Sequence, residues 1–246
     1  TLRENLKSAV LQGLAADKGL YMPENIPLLP AAFWNWLPGK SMGEIGFEVL
    51  KHFFCPDIPE QQFKMMVEEA FDFPVPLKNV SDRIQVLELF HGPTLAFKDV
   101  GARFLARVMS YFADLKGNGI QVLVATSGDS GSAVAQGFYR VPGVQVHILY
   151  PSGLVSSLQE LQFASLADNI TAYEVDGTFD DCQRMVKEAF MDGALRNQLI
   201  LTSANSINLA RFLPQSVYYF HALAQMDPEL WPSLVFSVPS GNLGNL

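Results

Sequence analysis

Lys98 lies in HGPTLAFKD, residues 91–99, among Leu95, Ala96, Phe97 and Val100, where a helix is expected to begin. The positive end of a helix dipole disfavours an ammonium there, and desolvation lowers a lysine pKa further. A neutral amine in such a place can condense with an aldehyde. Gly101 and Ala102, one turn on, are small and would leave space over the helix start for a bulky group. The ordinary alternative is an exposed lysine beside Asp99, and periodicity does not separate the two.

Three other stretches carry groups suited to holding an anion. ATSGDSGSAVAQGF crowds Thr126, Ser127, Asp129 and Ser130 around Gly128 between an apolar run and a helical one. Glycine lets a ligand approach the backbone, Ser or Asp supplies an N-cap, and a helix start offers free N–H groups. A tight, well-capped turn without a ligand fits the same residues. VPSGNLGN brings together Gly241, Asn242, Leu243, Gly244 and Asn245, whose successive N–H groups can wrap a phosphate; a plain loop would also use Gly and Asn. TSANSINLARFLPQ sets Asn205, Ser206 and Asn208 before a helix, with Arg211 one turn beyond Asn208 on the same face. An N-cap cluster with a surface arginine accounts for that pattern without a ligand.

Neither GxGxxG nor GxxxxGK[ST] occurs, so a dinucleotide or nucleoside triphosphate has no support. The histidines at 52, 91, 147 and 221 lack metal-ligand spacing, and no metal site is predicted. His91 opens the HGPT turn, where a turn-stabilising hydrogen bond explains it as well as a place in a pocket does. His147 falls in a strand pattern. Asp180 and Asp181 read as a helix N-cap and first-turn acid, and no GxSxG elbow supports a serine hydrolase.

These residues need a scaffold. From residue 84, apolar runs at 84–90, 120–126, 144–150, 170–176, 199–204 and 234–240 alternate with helical stretches near 94–114, 130–139, 156–167, 179–192 and 207–225. That alternation predicts an α/β fold, mainly a parallel sheet with helices on both faces, with ligands beyond the C-terminal strand ends. Residues 1–80 differ: eight of the 15 prolines fall between Pro23 and Pro76, beside amphipathic patterns such as PEQQFKMMVEEAF. We read 1–80 as a small, mostly helical domain and 81–246 as the α/β region.

Composition narrows the function classes. Hydrophobic residues make up 49% and charged residues 17%, which places the 246-residue chain in the globular class. The net charge of −8 opposes binding to nucleic acid or anionic membrane, so an anionic ligand needs local donors. The two cysteines, Cys55 and Cys182, form no framework, and no apolar run reaches the roughly 20 residues of a membrane span. A soluble, cytoplasmic protein is expected.

Five stretches in order, HGPTLAFKDVGARFLARVM, VLVATSGDSGSAVAQGFY, LQELQFASLADNITAYEVDGTFDDCQ, SANSINLARFLPQSVYYF and SVPSGNLGN, resemble threonine synthase of the bacterial and fungal type, a pyridoxal-phosphate enzyme of fold type II. The opening QGLAADKGLYMPENIP is similar to that family's N-terminal segment. The resemblance implies that Lys98 forms the Schiff base with pyridoxal 5'-phosphate and shuttles protons. It implies that Gly241 to Asn245 bind the cofactor phosphate, and that Thr126 to Ser130 line the site for substrate and cofactor ring. It places Asn205, Ser206, Asn208 and Arg211 near the substrate's anionic groups. The implied substrate is O-phospho-L-homoserine, converted with water to L-threonine and phosphate. A related phospholyase, or a non-catalytic fragment, is the alternative. Ser130 stands where the family commonly has threonine, and Leu243 where it has phenylalanine. Family members continue for well over a hundred residues past the GNxG motif, so the C-terminal part of the family fold is expected to be absent. The oligomeric state is open, a monomer being compatible with this reading.

Overall fold

The structure, a computed structural model, describes residues 3–239 except 14, 16, 18 and 114–118. Four helices lead: α1 (Leu6–Gln12), α2 (Ala31–Trp36), α3 (Met42–Phe54) and α4 (Glu60–Ala70). A capping box starts α3: Ser41 Oγ accepts from the Glu44 N–H, and the Glu44 carboxylate accepts from the Ser41 N–H. Two donors that a helix end otherwise leaves orphaned are thereby satisfied. The buried side of α3 carries Ile45, Val49, Leu50 and Phe54 at helical spacing. Phe54 stacks on Phe63 of α4, with ring centroids 5.4 Å apart, and both rings meet Phe104 edge-on.

Phe104 belongs to α5 (Lys98–Phe112), which thus packs against the N-terminal helices. Between them lies a hairpin, β1 (Leu77–Ser81) and β2 (Ile84–Leu87), which straddles residue 80 and pairs antiparallel only with itself. The run 84–90 was expected to open the main sheet. Its strand instead covers 84–87, and Ile84 and Val86 are exposed where a parallel strand would bury both faces.

The main sheet holds β3 (Ile120–Ala125), β4 (Val144–Pro151), β5 (Ile170–Val175) and β6 (Ile200–Thr202), all parallel, in the order β5-β4-β3-β6. Crossovers run through α6 (Asp129–Phe138), α7 (Ser157–Ala164), then α8 (Phe179–Met191) with α9 (Gly193–Gln198). The last of these runs back across the sheet, so right-handed connection puts α8 on the face opposite α6 and α7. Helices on both faces are as the alternation predicted. α8 opens with a capping box of Thr178 and Asp181, so Thr178 is the N-cap rather than Asp180. One face of β4, Val144, Val146, Ile148 and Tyr150, is buried. On the other, His147 bonds Gln121 at 2.9 Å and Tyr173 at 3.3 Å, a satisfied face residue.

After β6 come α10 (Leu209–Phe212), a 3-10 turn (Leu213–Ser216), α11 (Val217–Ala224) and a second 3-10 turn (Pro228–Ser233). Residues 234–239 form no strand, so the expected last strand is not found among the described residues. One hydrophobic core runs from Leu6 to Ala224. Strand order reverses between β3 and β6, and the crevice beyond their C-terminal ends is where such sheets bind ligands.

Candidate active site

The residue before α5 and the first two of the helix are each fixed differently. Lys98 opens α5 with its side chain 21% exposed; Nζ lies 3.7 Å from Asp129 Oδ2 and 5.7 Å from the centre of the Phe97 ring. Asp99 turns the other way and is 1% exposed. Its carboxylate accepts from the Thr94 N–H at 2.9 Å and from the Thr94 hydroxyl at 2.5 Å. Burial pushes its carboxyl pKa up, and the bonds from Thr94 oppose that rise. A side chain at Gly92 would collide with Asp99, which accounts for the glycine of HGPT. The Tyr218 hydroxyl donates to the Phe97 carbonyl at 2.7 Å, and burial raises this phenol's pKa far above its usual range. Leu95 is held at φ 60, left-handed for a residue with a branched side chain, in the turn just ahead of the lysine.

Lys98 is therefore not the exposed partner of Asp99; it faces α6. The small residues after it serve a different purpose from the one expected. A side chain at Gly101 would put its Cβ 2.5 Å from the Arg211 carbonyl oxygen, so protein fills that space. Ala102 meets α6, where a Cβ at Gly137 would lie 2.9 Å from its carbonyl carbon. These small residues let helices approach one another and leave no room for a ligand.

The turn after β3 is capped by threonine, not by the serine or aspartate expected. Gly128, at φ 145, precedes α6 without a side-chain cap, and Thr126 Oγ1 accepts from the N–H groups of Gly128 and Gly131 at 3.0 and 2.8 Å. Ser127 and Asp129 are exposed and Ser130 half-buried, and of the three it is Asp129 that lines the cavity beside Phe97. Asp129 Oδ1 accepts from Gln159 Nε2 at 2.5 Å.

After β6 the predicted group divides. Asn205 and Ser206 are exposed. Asn208 is buried, capping α10 through the Ala210 N–H and donating to the Val10 carbonyl. Arg211, for which the ligand-free alternative was a surface arginine, is 2% exposed and donates to the Ala204 carbonyl; burial lowers its pKa to about 10. The predicted phosphate loop, Gly241 to Asn245, lies outside the described residues. His91 bonds Glu88 at 2.7 Å, a local pair within the turn region. Among the described residues no His, Cys, Asp and Glu group could hold a metal ion.

A cavity of about 1510 Å3 borders this arrangement. Its wall takes in Thr94 to Phe97, Asp129, Tyr218, Tyr219 and the β1–β2 hairpin. Sequence reading missed Tyr218, Gln159 and the turned-in Asp99. Tyr218 lies 121 residues from Phe97, and Gln159 lies 30 from Asp129, so no local spacing marks either.

Residues 3–71 match the family model for the threonine synthase N terminus. Threonine synthase of Serratia marcescens is 45% identical over 97% of this chain and 55% of its own length, and that of Escherichia coli matches equally. The crystal structure of pyridoxal-phosphate-bound threonine synthase from Brucella melitensis superposes with a TM-score of 0.89 at 41% identity, covering 97% of this chain and 53% of that one. This chain spans about half the length of the curated relatives it matches. Over nearly all of its residues the chain is similar in sequence and fold to threonine synthases, and over about half of theirs.

Proposed function

We propose that the full-length protein converts O-phospho-L-homoserine and water to L-threonine and phosphate, with pyridoxal 5'-phosphate held on Lys98. The observation that carries this reading is the part-buried Lys98 amine, turned away from Asp99 and toward the strand-end crevice. The local chemistry fits that cofactor: an amine over the Phe97 ring, a cavity larger than a cofactor and substrate together, and an α-helix starting at its edge. The bound cofactor supplies an electron sink for protons leaving Cα and Cβ.

The protein's own residues supply the rest. Lys98, on a flexible four-carbon arm, reaches both carbons to take and return protons, which a short carboxylate could not do. Asp129, 3.7 Å away, steadies the ammonium whenever the amine is protonated. The substrate and cofactor each bring a phosphate, and we assign the cofactor's to Gly241 through Asn245. Ser127, Asp129 and Ser130 line the crevice with Thr126 and Gly128 shaping their turn. Asn205 and Ser206, exposed at the end of β6, are available to the substrate's anionic groups. Asn208 and Arg211, bound to the chain's own backbone, support that turn from beneath.

This reading carries a cytoplasmic location and a small-molecule partner. No helix among the described residues is long and apolar enough to cross a membrane. The test uses the full-length protein, reduced with borohydride in the presence of pyridoxal phosphate and digested for mass spectrometry. An adduct on Lys98, with threonine formed from phosphohomoserine, is the expected result. An adduct on another lysine would sink the site assignment. Phosphate and 2-oxobutyrate without threonine would replace the synthase by a phospholyase.

A further inference from the structure

The stretch LQELQF has no part in the reaction as described, yet it supplies a side chain that reaches the lysine's carboxylate partner. Ser156 caps α7: its Oγ accepts from the Gln159 N–H at 3.4 Å, leaving the hydroxyl proton free to donate to Gln159 Oε1 at 2.9 Å. The Asp129 carboxylate, which only accepts, decides which end of the Gln159 amide is nitrogen, and the Ser156 hydroxyl is free to donate to the other end. The NH2 end therefore faces Asp129 and donates to Oδ1 at 2.5 Å.

The amide also lies flat on Gly128, where a Cβ would come within 2.5–2.7 Å of its oxygen, carbon and nitrogen. The Gln159 carbonyl accepts from Ser132 Oγ at 3.3 Å, which ties α7 to α6. With Oδ1 held, Oδ2 is the oxygen that faces Lys98 Nζ. The 3.7 Å gap exceeds a hydrogen-bond distance, so the carboxylate stands near the amine without bonding to it. The other acid beside Lys98, Asp99, is occupied by Thr94.

We propose that Gln159 is a positioning residue for Lys98: by anchoring Asp129, it keeps the carboxylate from closing on the amine and holding it charged and unavailable. The inference rests on the reading that Lys98 carries the cofactor. Freed of Gln159, Asp129 would close on Lys98 and compete with covalent attachment.

The test compares full-length wild type, Gln159→Met and Gln159→Glu. Lys98 acylation by acetic anhydride is measured on cofactor-stripped protein by mass spectrometry, relative to the other lysines; borohydride trapping of pyridoxal phosphate is measured on each variant. In Gln159→Met, which keeps the volume and loses the donor, acylation and trapping at Lys98 fall about tenfold, and kcat falls about tenfold with KM within about twofold. Gln159→Glu shows the same losses at neutral pH and recovers as acid restores a proton for it to donate to Asp129. Lys98 acylation at the wild-type rate in both variants overturns the proposal, and so does a lowered Tm with acylation unchanged. If wild type itself traps no cofactor on Lys98, the functional reading fails; if it does and both variants match it, only the role of Gln159 fails.

Discussion

Lys98 and Asp99 are neighbours of opposite charge at the start of one helix, and the fold treats them in opposite ways. Behind the helix, Asp99 is sealed from water and takes two bonds from Thr94, with Tyr218 pinning the preceding carbonyl. In front, Lys98 keeps a fifth of its side chain exposed and meets its carboxylate across 3.7 Å. The back of the turn is built for stability and the front is left adjustable. The role we propose for Lys98, binding and releasing a partner, calls for a rigid base and a loose tip.

Substitutions in the full-length protein should separate the two sides by their cost. Gly101→Val is the most damaging, because its first side-chain carbon would sit 2.5 Å from the Arg211 carbonyl oxygen. We expect a loss of about 3 kcal/mol by urea denaturation, and a well-folded variant would refute the tight packing of this helix. Asp99→Ala leaves the buried Thr94 N–H unpaired and should cost about 2 kcal/mol. Tyr218→Phe keeps the ring and removes one bond, for about 1 kcal/mol.

The back of the turn also predicts a pH slope. Unfolded aspartate gives up its proton near about 3.9, whereas buried Asp99 holds it to higher pH. Between those two values the folded state binds more protons, so stability falls as pH rises, and Asp99→Asn should flatten the slope. Lys98→Ala has the smallest stability effect, within about 0.5 kcal/mol, while removing cofactor attachment. A loss as large as that of Asp99→Ala would erase the distinction between front and back.

Alternation of apolar runs and helical patterns located β3, β4, β5 and β6 and, between them, α6, α7 and α8 but not the short α9. Periodicity sees only local order, so it could not tell that 84–87 pairs with 77–81 instead of joining the main sheet. The turn motifs announced themselves through glycine and hydroxyl residues, and Lys98 through its apolar neighbours. What lay hidden was direction. Asp99 and Lys98 are adjacent, and no pattern says which one turns inward. Gly101 and Ala102 looked like room for a ligand because sequence shows that a side chain is small but not what occupies the space. The burial of Arg211 and Asn208 was not legible because their acceptors, on Ala204 and Val10, are backbone carbonyls that carry no sequence signal.

The contact between Ala102 and Gly137 has a mechanical consequence. Main chain meets main chain there, so the helix bearing the amine and the helix bearing its counter-charge travel as one body. Larger relative motions must take place elsewhere, in the hairpin or the strand-end loops, so that only the side chains of Lys98 and Asp129 are left to change the spacing between them.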